Sequence, residues 1–157
     1  MKRFFADEML MKLTRWIRIM GIPVEHLKGM HDLKLMALVK SKKAALLTRD
    51  EELLKRCKKR GIKCFFVPEA KPEVQIAAIA LHFHIKLPKF PSNTLCPACG
   101  KKLEKVPKKS VKGLVHKRVY ERRRLFWKCT GCKKIYWRGT HYVKLKKAHA
   151  KIYRMLS

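Results

Sequence analysis

At 157 residues the chain has room for one domain, or for one domain with a small appendage. Forty Lys and Arg against eleven Asp and Glu give a formal charge of +29. That excess argues against an ordinary enzyme of small neutral substrates and for a polyanionic partner, because each neutralised phosphate releases counterions.

The charge alone leaves RNA, DNA and anionic membranes open. No apolar run approaches the ~18–20 residues of a membrane-spanning helix. Asp7 and Glu8 interrupt the signal-like start, and Arg15 and Arg18 follow, so no targeting segment is expected. Aliphatic and aromatic residues run along the whole chain, which argues against disorder.

The first ~85 residues alternate strand-like and helix-like segments. Residues 2–6 read as a short strand and 8–20 as a helix with Met9, Leu13, Trp16, Ile17 and Met20 on one face. Lys12, Arg15 and Arg18 fall off that face, and Gly21 suits the position after a helix end. A strand over 22–27, a helix over 32–42 and a strand over 44–48 follow. Then come a charged helix at 51–60, a strand at 62–67 and an apolar helix at 72–84 with Pro72 in its first turn. This alternation predicts an α/β fold with a parallel sheet and flanking helices. Right-handed crossovers then place every strand-to-helix turn at the carboxyl edge, where such folds build their sites.

KLPKFPSNT, 86–94, marks a boundary, giving domains over 1–88 and 89–157. The second part reads as strands over GLVHKRVY, RLFWKC and KIYW and a final basic helix from about Gly139. Residues 1–90 hold 20 basic and 9 acidic residues, a net +11; residues 91–157 hold 20 and 2, a net +18. The smaller part carries the greater field.

The six cysteines divide four and two. Cys96, Cys99, Cys129 and Cys132 form two CxxC pairs around a strand-rich segment, the spacing of a tetrahedral four-thiolate zinc site in a zinc ribbon. Four cysteines leave no open position, so the zinc is expected to be structural and to support a small domain. His116 and His141 are read as surface or nucleic-acid residues, and Cys57 and Cys64 as buried or incidental thiols. This cysteine usage predicts a reducing, intracellular setting, the cytoplasm.

The chain has three Asp: Asp7, Asp32 and Asp50. Each precedes a helix-like segment, and the simplest reading of each is an N-cap. In a parallel sheet, however, all three lie at one edge. If the carboxylates of Asp7, Asp32 and Asp50 converge there, they are the candidate catalytic residues. Asp7 and Asp50 would then hold Mg or Mn, which bridges to phosphate oxygens and activates water. Arg15, Arg18 and Arg49 are candidates to hold the phosphate backbone beside them.

FFADEMLMKLTRWIRIMGI, Asp32, LLTRD at 46–50, and the later CPACGKKL and FWKCTGCKKIYWRGTHY resemble the mut-seven C-terminal RNase domain family, in the same order and over nearly the whole chain. The resemblance implies a PIN-like sheet followed by a zinc ribbon, with a metal-dependent ribonuclease activity. By position it implies Asp7, Asp32 and Asp50 as the acidic site. The chain departs from the family pattern at Met11, where Gly is common, and in the acid-poor segment around Asp32.

Basic runs recur, and in the second part aromatics interleave with them. Lys108, Lys109, Arg122, Arg123, Arg124, Lys133, Lys134, His141, Tyr142, Lys144 and Lys147 are the RNA-binding candidates there. Phe126 and Trp127 are read as ribbon core in preference to base-stacking. The last helix offers Val143, Leu145, Ala148, Ile152 and Met155 for packing, and its apolar face is too modest to favour a membrane. The expected function is therefore an RNA-binding protein of PIN-like nuclease ancestry that docks on structured RNA, ribosomal RNA or a ribonucleoprotein. An active metal-dependent ribonuclease and a DNA-binding protein are the alternatives.

Overall fold

The computed structural model describes residues 3–90 and 94–157. Part of the boundary at 86–94 and the first residue of the opening strand, Lys2, lie outside the described residues. The first part is built from β1 (Phe4–Ala6), α1 (Met11–Ile19), β2 (Val24–His26), α2 (Asp32–Ser41), β3 (Ala45–Thr48), α3 (Glu51–Lys59), β4 (Cys64–Phe66) and α4 (Pro72–His82). The four strands pair in parallel in the order β2-β1-β3-β4.

The central strands β1 and β3 are buried along their whole length, as strands covered on both faces must be. Alternation along them sorts the core into two layers. Phe4, Ala6, Ala45 and Leu47 pack with Leu13, Ile17, Ile76 and Ile79 on the face of α1 and α4. Phe5 and Leu46 pack with Leu35, Met36, Val39 and Leu53 on the face of α2 and α3. A right-handed chain requires this division, since its strand order reverses direction at β1.

The second part contains β5 (Leu103–Val106), α5 (Lys117–Arg122), β6 (Phe126–Cys129), β7 (Ile135–Trp137) and α6 (Thr140–Leu156). Its sheet is antiparallel, β5-β6-β7. The strand expected over 113–120 is not formed. Lys117–Arg122 is a short helix whose N-cap, His116, accepts a hydrogen bond from the Arg118 N–H at 3.3 Å. The first ribbon strand lies earlier instead. Its register, Leu103 opposite Cys129 and Val106 opposite Phe126, brings the two CxxC turns to one end of the hairpin.

Two further readings are corrected. Residues 8–10 form a 3-10 turn ahead of α1, and Met9 is 66 % exposed rather than on the buried face. In α6, Val143 and Met155 are exposed; Ala148 and Ile152 are buried, with Leu145 and Leu156 packed beside them. Those residues join the core layer of α1 and α4. The helix that follows the ribbon therefore folds back onto the first part, and Phe90 lies against both Tyr142 and His149, each at 5.4 Å between ring centroids. Because Ile152 is fully buried there, Ile152→Ala is expected to cost about 2–5 kcal/mol. Denaturant unfolding of the variant measures this, and a cost under about 1 kcal/mol would show that α6 is only loosely attached.

Candidate functional site

The four CxxC cysteines meet at one end of the ribbon. Their sulfur atoms all lie within 4.8 Å of one another. Cys96 Sγ and Cys132 Sγ are 3.6 Å apart, and Cys99 Sγ and Cys129 Sγ 3.3 Å. Both separations exceed a disulfide's ~2.05 Å by far, and all six cysteines are free. A tetrahedron with metal–sulfur bonds of about 2.3 Å has sulfurs about 3.8 Å apart. The donor set thus fits a structural metal such as zinc, and it fills all four positions.

The surroundings suit thiolates. The Tyr136 hydroxyl, 3.1 Å from Cys96 Sγ, can donate to it, and the Gly131 N–H donates to Cys129 Sγ at 3.3 Å. Burial acts to raise the Cys99 thiol, but backbone N–H groups of Lys101 and Cys132 and the Cys129 thiol outweigh it and bring it down to about 6. Burial pushes Cys129 up to about 12. A bound cation reverses that penalty, because a coordinated thiol is deprotonated outright. Cys57 is different: fully buried, with its pKa raised by burial to about 11, it is an inert core thiol.

Gly100 and Arg18 fasten this centre to the first part. Arg18, expected at an RNA surface, is 5 % exposed. Its Nε donates to Val24 O at 3.0 Å, and its Nη1 donates to Pro97 O at 3.1 Å and Ala98 O at 3.0 Å. Two of those carbonyls belong to the first CxxC turn. Burial lowers the pKa of the guanidinium, and the nearby Cys99, Cys96 and Glu25 offset part of that. Gly100 has φ +77°, and a Cβ there would stand 3.0 Å from Arg18 Nε. Only glycine permits both that conformation and that approach.

The acidic edge lies at the carboxyl ends of β1 and β3. The strand order reverses between these two strands, the place where open α/β sheets leave a crevice. Asp7 is buried and accepts from three donors: the Met9 N–H at 3.0 Å, the Arg49 N–H at 3.2 Å and the Thr48 hydroxyl. The same Thr48 hydroxyl accepts from the Asp50 N–H at 3.0 Å, and Asp50 caps α3 by accepting from the Leu53 N–H at 3.0 Å. One hydroxyl thereby links the Asp7 carboxylate to the Asp50 backbone N–H.

Asp32 stands apart from this link. It is the first residue of α2, with His31 at the N-cap, so its N-cap reading is corrected. Its carboxylate is paired with Arg56 of α3. Among the described residues, the four cysteines are the one group of three or more metal-ligating side chains close enough to hold an ion. The three Asp do not form such a group. Thr48 and Arg56, which organise the acidic edge, were missed in the sequence. Thr48 was in view within LLTRD, but nothing local marks a strand threonine as a partner of a residue 41 positions earlier.

The remaining cations divide by their surroundings. Arg15, Lys109, Arg122, Arg124, Lys133, Lys134, Lys144 and Lys147 are exposed, as is His141. Arg49 pairs with Glu69 at 3.4 Å, Lys108 lies over the Tyr120 ring at 4.8 Å, and Arg123 is half-buried. Tyr142 is packed between Phe90 and Arg138, with the guanidinium 4.9 Å from its ring. Phe126 is fully buried, and half-buried Trp127 carries Arg138 at 5.3 Å. Phe126 serves the ribbon's packing, as read from the sequence.

No helix is long and apolar enough to cross a membrane among the described residues. Comparison with curated proteins and with solved structures gives no match. The family model described as the Mut7-C RNAse domain matches residues 2–149, almost the whole length over which the sheet, the acidic edge and the cysteine centre are built, and the chain belongs to that family.

Proposed function

We propose that this chain is an RNA-binding protein of PIN-like nuclease ancestry that docks on structured RNA, with ribosomal RNA or a ribonucleoprotein particle as its partner in the cytoplasm. The observation that carries the reading is the charge, +29 on a chain of an RNase-domain family. Eleven acids cannot neutralise forty cations, and the exposed ones lie on both parts of the molecule. So large a field holds phosphates regardless of sequence. An enzyme that must release its product gains little from it. In this reading zinc occupies Cys96, Cys99, Cys129 and Cys132 and holds the basic ribbon in shape.

The second reading is a metal-dependent ribonuclease with Mg or Mn at Asp7 and Asp50. The placement of both residues at the reversal of strand order, joined through Thr48, favours it. The pairing of Asp32 with Arg56 weighs against a three-carboxylate centre. In such a centre the carboxylates would hold the cation, which would supply an activated water, and Arg49, whose N–H already bonds Asp7, would position the phosphodiester.

One set of measurements separates the readings. The docking reading expects tight binding to structured RNA that falls steeply with salt, co-sedimentation with ribosomal particles, and no cleavage in Mg²⁺ or Mn²⁺. Cleavage that disappears in Asp7→Asn/Asp50→Asn would establish the nuclease instead. Tighter binding to duplex DNA than to structured RNA would sink both.

A further inference from the structure

A cleft of about 500 Å³ opens between α1 and the ribbon, apart from the acidic edge. That volume lies within the ~300–1,000 Å³ of small-ligand sites. Thr14, Arg15 and Arg18 line it from one face of α1, His26 from the end of β2, and Lys134 and Tyr136 from the ribbon. Among the described residues no carboxylate lines it.

Two of these side chains are unsatisfied. Thr14 is 1 % exposed, and its hydroxyl has no hydrogen-bond partner. A helical threonine ordinarily bonds back to a carbonyl one turn earlier; this one does not. Nε2 of half-buried His26 is likewise buried without a partner. Among the described residues these are the two such atoms found, and both belong to residues that line the same cleft. A buried polar atom left unpaired costs about 1–3 kcal/mol, and native proteins keep few without a reason.

We propose that the cleft is a phosphate-binding site for a single nucleotide. The Thr14 hydroxyl and His26 Nε2, closed to solvent without the ligand, donate to the phosphate oxygens once side chains of the wall shift aside to admit it. The exposed Arg15 and Lys134 close on it from the rim with charge-assisted bonds. Arg18 adds a buried cation to the same wall while holding the CxxC turn. The volume exceeds that of a phosphate alone and leaves room for the sugar and base against Tyr136. The nucleotide is either free or one unit of a bound RNA strand; only the second source rests on the RNA-docking reading above.

The test is a titration of the full metal-loaded chain with adenosine 5′-monophosphate, inorganic phosphate and a short single-stranded RNA, followed by calorimetry and by the His26 ring resonances. Adenosine monophosphate is expected to shift His26 saturably, and more tightly than inorganic phosphate. Thr14→Val keeps the shape and removes the hydroxyl. It should weaken that binding about fivefold to tenfold while leaving the unfolding midpoint unchanged or raised. Arg15→Gln, on an exposed side chain, should weaken it similarly without threatening the fold. Absence of a saturable His26 shift with either small probe would overturn the proposal, even where the RNA binds. Undiminished affinity in Thr14→Val with a lowered midpoint would also overturn it, by making the hydroxyl structural. Binding of adenosine monophosphate at His26 without binding of RNA would keep the cleft and remove the docking reading.

Discussion

Removing the metal from the four-cysteine centre is expected to unfold the ribbon, residues 95–137, while the four-stranded sheet survives. The ribbon has almost no apolar core of its own. Its buried hydrophobic residues are Cys96, Val111, Phe126 and Cys129, and two of those are the ligands themselves. Burying Val111 and Phe126 contributes about 1.5–3 kcal/mol each. Ordering the backbone costs roughly 1–2 kcal/mol per residue, and hydrogen bonds and packing offset only part of that. A structural zinc contributes on the order of 10–16 kcal/mol, enough to decide the balance. Elemental analysis should find about one zinc per chain. Chelation, or Cys129→Ser, should collapse the amide resonances of β5, β6 and β7. The resonances of β1 and β3, which rest on the two core layers, should stay dispersed. A metal-free chain that kept Phe126 and Trp127 dispersed would show that the ribbon needs no ion.

Arg18→Met is expected to destabilise the chain by about 3 kcal/mol and to loosen the ribbon from the sheet. Methionine preserves the length and apolar stem of the side chain but supplies no donor. Three carbonyls, of Val24, Pro97 and Ala98, then lose their partner. A buried acceptor left unpaired costs about 1–3 kcal/mol. The bond to Val24 is the buried one, whereas water can reach the other two in part. That is why the total falls near 3 kcal/mol rather than the sum of three full penalties. Arg18→Lys should recover only a fraction, because an ammonium cannot span three acceptors as a planar fork does. Denaturant unfolding measures the stability loss. Hydrogen exchange at Leu95 and Gly100, whose N–H groups bond to Arg18 O and Cys96 O, reads the loosening. Unchanged protection at Leu95 in Arg18→Met would mean that the turn is held without the guanidinium.

The four cysteines and Arg18 differ in how visible they are in the sequence. The cysteines announce themselves, because a CxxC pair needs only its own short spacing to place two sulfurs within reach of one ion. Arg18 announces nothing. At its position an arginine reads as one more solvated cation on a basic chain, and only the docking of the CxxC turn 79 residues later turns it inward. The acidic edge shows the same contrast. Asp7 and Asp50 fall at strand ends, and capping made both positions legible. The hydroxyl that joins them, and the arginine that takes Asp32, come from β3 and α3.

By itself the sequence determined the alternation of strands and helices, the parallel sheet that alternation implies, the four-thiolate set and the basic charge. Those follow from periodicity, capping and spacing, which act over a few residues. Only the tertiary structure decided where β5 lies, that α6 returns to the first core layer, which aspartates are joined, and that Thr14 and His26 share an unsatisfied cleft. These depend on pairings between distant segments, and their outcome is set by which buried polar atoms find partners once the layers close.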